Sequence, residues 1–119
     1  MLKVQLEGQR IRVRVDEALL ARLRAGESLV AHTRLPPAPD FRITLRLVDG
    51  ERPLWDGSPA LGAMLGLPRS RVEHYAERLP CRQGLLLDLQ LPEGVGLSIE
   101  FSVDVRDSLS VRGPRTRTD

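Results

Sequence analysis

A chain of 119 residues, 41% apolar and 29% charged, has the make-up of one globular domain with its own core: too short for two full domains, too apolar for a disordered chain. The formal net charge is only +2 and the aromatics are limited to Phe41, Trp55, Tyr75 and Phe101, little material for the stacking platforms of single-strand nucleic-acid binders. Cys81 is the single cysteine, which excludes an internal disulfide and a cysteine-based zinc site, and no apolar run approaches the about 18 residues of a membrane span.

In chain order, Leu2, Val4 and Leu6 alternate with Lys3, Gln5 and Glu7, and Ile11, Val13 and Val15 alternate with Arg10, Arg12 and Arg14. Period-two alternation predicts two half-buried strands. A type II′ turn at Gly8-Gln9 sets Val4 opposite Val13 and Leu6 opposite Ile11, so every apolar pair falls on one face. Asp16 is suited to cap a helix whose stripe is Ala18, Leu19, Leu20 and Leu23 and which Gly26 closes; Glu17 suits its positive end. Ser28 to Arg34 reads as a strand, Pro36, Pro37 and Pro39 break it, and Phe41, Ile43, Leu45 and Leu47 mark the next one before the Asp49-Gly50 turn.

Ala60 to Leu67 reads either as a strand with Leu61, Ala63, Leu65 and Leu67 inward or as a helix capped at Ser58-Pro59. Pro68 fits the first position of a helix over Arg69 to Leu79, where Val72, Tyr75, Ala76 and Leu79 share a face. Leu85, Leu87, Leu89 and Leu91, then Leu97, Ile99, Phe101, Val103 and Val105, predict a second hairpin with an acidic outer side. Apolar periodicity stops at Ser108, so 108–119 is expected to be a disordered basic tail.

Laid side by side, the two halves match. Strand, helix from Asp16, Gly26 and two strands parallel strand, helix from Pro68, Gly84 and two strands, with Leu20 and Leu23 falling on Val72 and Tyr75. The expectation is a single α+β domain over 1–107: a mainly antiparallel, strongly curved sheet or small barrel with two short helices. An internal ββαββ pseudo-repeat divides it into halves at about 1–48 and 51–107. That repeat favours the strand reading of Ala60 to Leu67.

Gly8-Gln-Arg-Ile-Arg-Val-Arg-Val15, Asp16-Glu17 and Gly26-Glu-Ser-Leu29 resemble the AbrB/MraZ swapped-hairpin module, and Leu65-Gly-Leu-Pro68 and Gln83-Gly-Leu85 echo it. This resemblance implies two interlocked halves, a compact barrel, and a DNA-binding or regulatory role. The chain as a whole is similar to a small uncharacterised bacterial family of about this length, on its N-terminal hairpin, the Pro68 to Ala76 helix and the strand Leu97 to Asp104.

Charge is uneven: the count from the sequence is +4 for 1–48, −4 for 49–108 and +2 for 109–119, which gives the molecule a basic and an acidic side. Lys3, Arg10, Arg12 and Arg14 project from one face of the first hairpin, and Arg34, Arg42 and Arg46 are placed on neighbouring strands. Such a face suits the phosphates of double-stranded DNA; the solvated side of an antiparallel sheet looks the same in sequence. Leu61 to Leu79 also has the spacing of a helix-turn-helix, with Arg69, Ser70 and Arg71 leading the second helix.

Catalytic material is thin. His74 lies between Glu73 and Glu77, Gly57 to Gly62 has phosphate-loop glycine spacing but lacks the Lys-Ser that should follow, and Cys81 precedes Arg82. Trp55 reads as a core or turn-packing aromatic. The expectation is a cytoplasmic, non-enzymatic binding module with no cofactor, no metal, no export signal and no membrane anchor. Its partner is double-stranded DNA or, as the alternative, a second copy or another protein met through opposed charged faces or a strand edge.

Overall fold

The opening alternation forms its hairpin in the expected register. In the structure, a computed structural model that describes residues 2–58, 62–80 and 83–104, β1 (Lys3–Glu7) and β2 (Arg10–Asp16) pair antiparallel, Val4 against Val13 and Leu6 against Ile11. Gly8 has φ +54° and Gln9 does not share the positive φ, the sign pattern of a type II′ turn. Asp16 ends β2 and caps α1 (Glu17–Arg24), its Oδ1 accepting from the Leu19 amide at 2.8 Å. Leu20 and Leu23 are the face that α1 buries.

Asp16→Ala is expected to cost about 1 kcal/mol in chemical unfolding, and Asp16→Asn much less, because asparagine keeps an acceptor at the cap. Equal losses for both would assign the effect to charge instead of to the cap.

Further along are β3 (Leu29–Thr33), β4 (Phe41–Val48), β5 (Leu54–Ser58), β6 (Gly62–Pro68), α2 (Arg69–Glu77), β7 (Leu85–Gln90), a short 3-10 turn at Pro92–Gly94 and β8 (Gly96–Asp104). The described part of the 60–67 segment is therefore strand, not helix. The helix-turn-helix expectation falls with it: α2 is preceded by a strand, and Pro68 closes that strand as the N-cap instead of opening the helix. The glycines at 57 and 62 lie on the antiparallel paired strands β5 and β6, so the described residues on either side of 59–61 join strand to strand, not strand to helix. Cys81, Arg82 and the expected tail at 108–119 lie outside the described residues.

The strands form two four-stranded sheets, β1-β2-β8-β7 and β3-β4-β6-β5, and not the single curved sheet or closed barrel expected from sequence. Each outer pairing is antiparallel, but the centre of each sheet is parallel, β2 beside β8 and β4 beside β6. Periodicity carries no information on strand direction, so this central pairing was out of reach of the alternation argument.

The order strand–strand–helix–strand–strand occurs twice, and each sheet takes one hairpin from each half of the chain. Exchanging β1, β2, β8 and β7 for β5, β6, β4 and β3 turns one sheet order into the other. The registers follow the exchange: Val13 pairs with Val4 and Phe101, and Leu65 pairs with Trp55 and Leu45.

The core lies between the inner faces of the two sheets and under both helices. Val13, Val15, Ile43, Leu45, Leu65, Leu67, Ile99 and Phe101 line the sheets, and Leu20, Leu23, Val72 and Tyr75 come from the helices, all buried. Each fully buried side chain of this kind contributes about 1.5–3 kcal/mol against the entropy of ordering the chain. Arg24 on α1 holds Glu73 on α2 at 2.7 Å, and the Arg69 guanidinium donates to the Arg24 carbonyl at 3.1 Å. The two helices are thereby tied to each other as well as to the sheets.

Candidate nucleic-acid interface and sheet edges

Strand alternation puts Lys3, Arg10, Arg12 and Arg14 together on the outer face of the first sheet, because Val13 and Val15 between the arginines are buried. The register arranges that face in rows: Lys3, Arg14 and Ser102; Gln5, Arg12, Glu100 and Leu86; Glu7, Arg10, Ser98 and Asp88. Acidic β7 and β8 thus lie directly beside basic β2. Glu100 Oε1 is 3.4 Å from Arg12 Nε and 3.9 Å from Arg10 Nη1, and Glu7 Oε1 is 3.7 Å from Arg12 Nη1. With Asp88, Asp16 and Asp104 on the same side of these strands, four cations meet five carboxylates, and the far field of the face is close to neutral.

Arg42 and Arg46 sit on β4, in the second sheet, with Arg34 just beyond β3. The seven basic residues grouped from sequence are consequently divided between two sheets whose outer faces point away from a shared core. His32 approaches Asp40 at 2.9 Å, across the proline-bearing loop from β3 to β4. His74 is exposed on α2, and its neighbour Glu73 is engaged by Arg24 and Arg69. No cluster of three or more metal-ligating side chains occurs among the described residues, and no helix there is long and apolar enough to cross a membrane.

The strand-edge alternative drawn from sequence names no strand, and the structure supplies the names. β1 and β7 flank the first sheet, β3 and β5 the second, and each carries a large exposed apolar side chain: Leu6 at 59%, Leu86 at 64%, Val30 at 55% and Leu54 at 45%. Edge strands expose backbone donors and acceptors that accept another strand. On β7 one acceptor is already used, since Arg71 Nη2 donates to the Leu86 carbonyl at 3.5 Å.

Two clefts flank these edges in matching positions. One, about 470 Å³, runs along β7 against Pro53 and Arg71; the other, about 540 Å³, lies between Leu2, α1 and the start of β3, against Leu19 and Val30. Leu2, Leu19 and Val30 occupy the places that Pro53, Arg71 and Leu86 hold in the other half. The second cleft is the more apolar, with Leu19 where the first has an arginine.

Asp16 lines that second cleft. Its carboxyl is held below the ordinary value, first by a hydrogen bond with the chain's amino terminus and then by the Leu19 amide it caps; partial burial opposes the shift.

No family model matches the chain, and no curated protein or solved structure matches it; the functional reading therefore rests on this geometry.

Proposed function

We propose that the chain is a duplicated ββαββ unit that serves as a non-enzymatic interaction module, taking up an extended polypeptide by strand addition at a sheet edge. The observation that carries this reading is the combination of free edge strands with exposed apolar side chains, Leu6 above all, beside a sheet face whose charges largely cancel. Main-chain hydrogen bonds supply affinity in this mode, and pockets for alternate side chains supply selectivity. On this reading the two hairpins that each sheet draws from opposite halves of the chain are the trace of an internal duplication.

Selection from a library of random 12-residue peptides is expected to return alternating apolar and polar sequences that shift the amide resonances of an edge strand. Ligands that shift only helix or turn amides, or no ligand at all, would overturn the reading.

A second reading, double-stranded DNA, is favoured by one observation: Lys3, Arg10, Arg12 and Arg14 do share an exposed face. Their ion pairs are partly exposed and long, each worth less than about 1 kcal/mol, so phosphates compete for the guanidinium groups. On this reading duplex binding falls with salt at a log-log slope of about −3 to −4, is lost when Arg10, Arg12 and Arg14 are all replaced by alanine, and is strengthened by Glu100→Gln. Arg42 and Arg46 variants leave it unchanged, being on the other sheet. Absence of duplex binding at about 50 mM salt removes this reading.

A further inference from the structure

We infer that β1 is a self-complementary edge and that its partner is the β1 strand of a second copy, joining the two first sheets into one continuous eight-stranded sheet. The inference rests on the strand-addition reading and names the edge, the partner and the register.

The register follows from the order of five residues. Lys3, Val4, Gln5, Leu6 and Glu7 are symmetric in character about Gln5. An antiparallel twofold pairing centred there sets Lys3 against the partner's Glu7, Val4 against the partner's Leu6, and Gln5 against itself. Opposite charges and apolar pairs across strands are the stabilising combinations, and an isologous interface requires this reciprocity. Sliding the partner by two residues either way sets Lys3 against Gln5 or Gln5 against Glu7 and leaves the charges unmatched.

Backbone direction agrees. Glu7 and Arg10 flank the two-residue turn and face each other, which makes them a hydrogen-bonded pair and turns the N–H and C=O groups of Lys3, Gln5 and Glu7 toward β2. Those of Val4 and Leu6 therefore point out from the edge, and Val4 opposite the partner's Leu6 is the pairing that joins them. Leu6, 59% exposed on an otherwise inward face, gains an apolar neighbour across the join.

The other edges are less suited. β7 has its Leu86 carbonyl taken by Arg71, β5 follows Pro53 and contains Gly57, and β3 leads into the Leu35 to Asp40 loop that His32 engages through Asp40. β1 offers five residues without glycine or proline, exposed except for half-buried Val4.

An interface of one strand pair is small, so association is expected in the range of about 10 µM to 1 mM. The test is sedimentation equilibrium over that range, combined with amide-resolved hydrogen exchange. The wild type should dimerise, with protection of the Val4 and Leu6 amides rising with concentration. Lys3→Glu and Glu7→Lys each set like charges across the join and should weaken self-association at least tenfold, while an equimolar mixture of the two variants restores a dimer by matching every pair.

Leu6→Pro removes an outward N–H without touching the β2 ladder and should give a monomer with an unchanged far-ultraviolet circular dichroism spectrum. A wild type that stays monomeric to 1 mM, or a dimer that Leu6→Pro and the charge variants leave intact, overturns the inference. Peptides that still bind an edge strand in that case leave the strand-addition reading standing; failure of both removes it as well.

Discussion

Tyr75→Ala is expected to cost about 3–5 kcal/mol of folding stability, a large part of what a domain of this size possesses. The ring is fully buried on α2 and meets Phe101 of β8 edge-on, with centroids 6.1 Å apart and planes at 72°. Removing it takes away one of the largest apolar contributors to the core and opens a void between the helix and the first sheet.

The hydroxyl has a separate task. β7 begins at Leu85 opposite Phe101, so the next amide on that side of β8, that of Val103, has no strand beside it among the described residues. It donates to the Tyr75 hydroxyl at 3.3 Å instead. Tyr75→Phe keeps the packing and orphans that buried amide, at a cost of about 1–3 kcal/mol. Urea unfolding of both variants separates the two contributions; a Phe variant as stable as wild type would show that the hydroxyl bond is worthless in solution.

Gly62→Ala should be nearly as damaging. Gly62 has φ +84°, and a Cβ added there would lie 2.5 Å from the Arg42 carbonyl oxygen. The obstacle is the backbone of a central strand, which cannot rotate away as a side chain can. Left-handed backbone strain and overpacking each contribute about 1–3 kcal/mol, for an expected loss of about 2–5 kcal/mol. Gly66→Ala is the comparison: its Cβ would meet a Val48 methyl at 2.7 Å, and a side-chain methyl can shift, so the loss should be smaller. The reverse order in thermal unfolding would mean that β4 yields and Val48 does not.

Alternation made the strands legible wherever one face is solvated. Val13 between Arg12 and Arg14, or Ile99 between Ser98 and Glu100, announces both strand and facing, and the apolar stripes at Leu20 and Leu23 and at Val72 and Tyr75 announce the helices. β5 escaped notice as a strand because Leu54, Trp55, Asp56, Gly57 and Ser58 do not alternate in hydropathy, Gly57 standing where an apolar residue belongs.

The site was legible only by halves. That Arg10, Arg12 and Arg14 share a face follows from period two; that Glu100 lies among them does not, because 90 residues separate it from Arg10 and only the parallel pairing of β2 with β8 brings it there. Arg42 and Arg46 were grouped with the first hairpin for the same reason: alternation orders residues within a strand and is silent on which sheet the strand joins.

The pairing of β2 with β8 also bears on how the protein is made. Arg10 pairs with Ser98, so during synthesis the β1–β2 hairpin waits for its inner neighbour while 88 further residues are added, roughly 4 to 18 s at ordinary rates of translation. During that interval the bonding edge of β2 is open to any passing strand. A sheet whose central strands are so far apart in sequence has high contact order and folds slowly. Chaperone cover of the nascent hairpin is what such a topology asks of the cell.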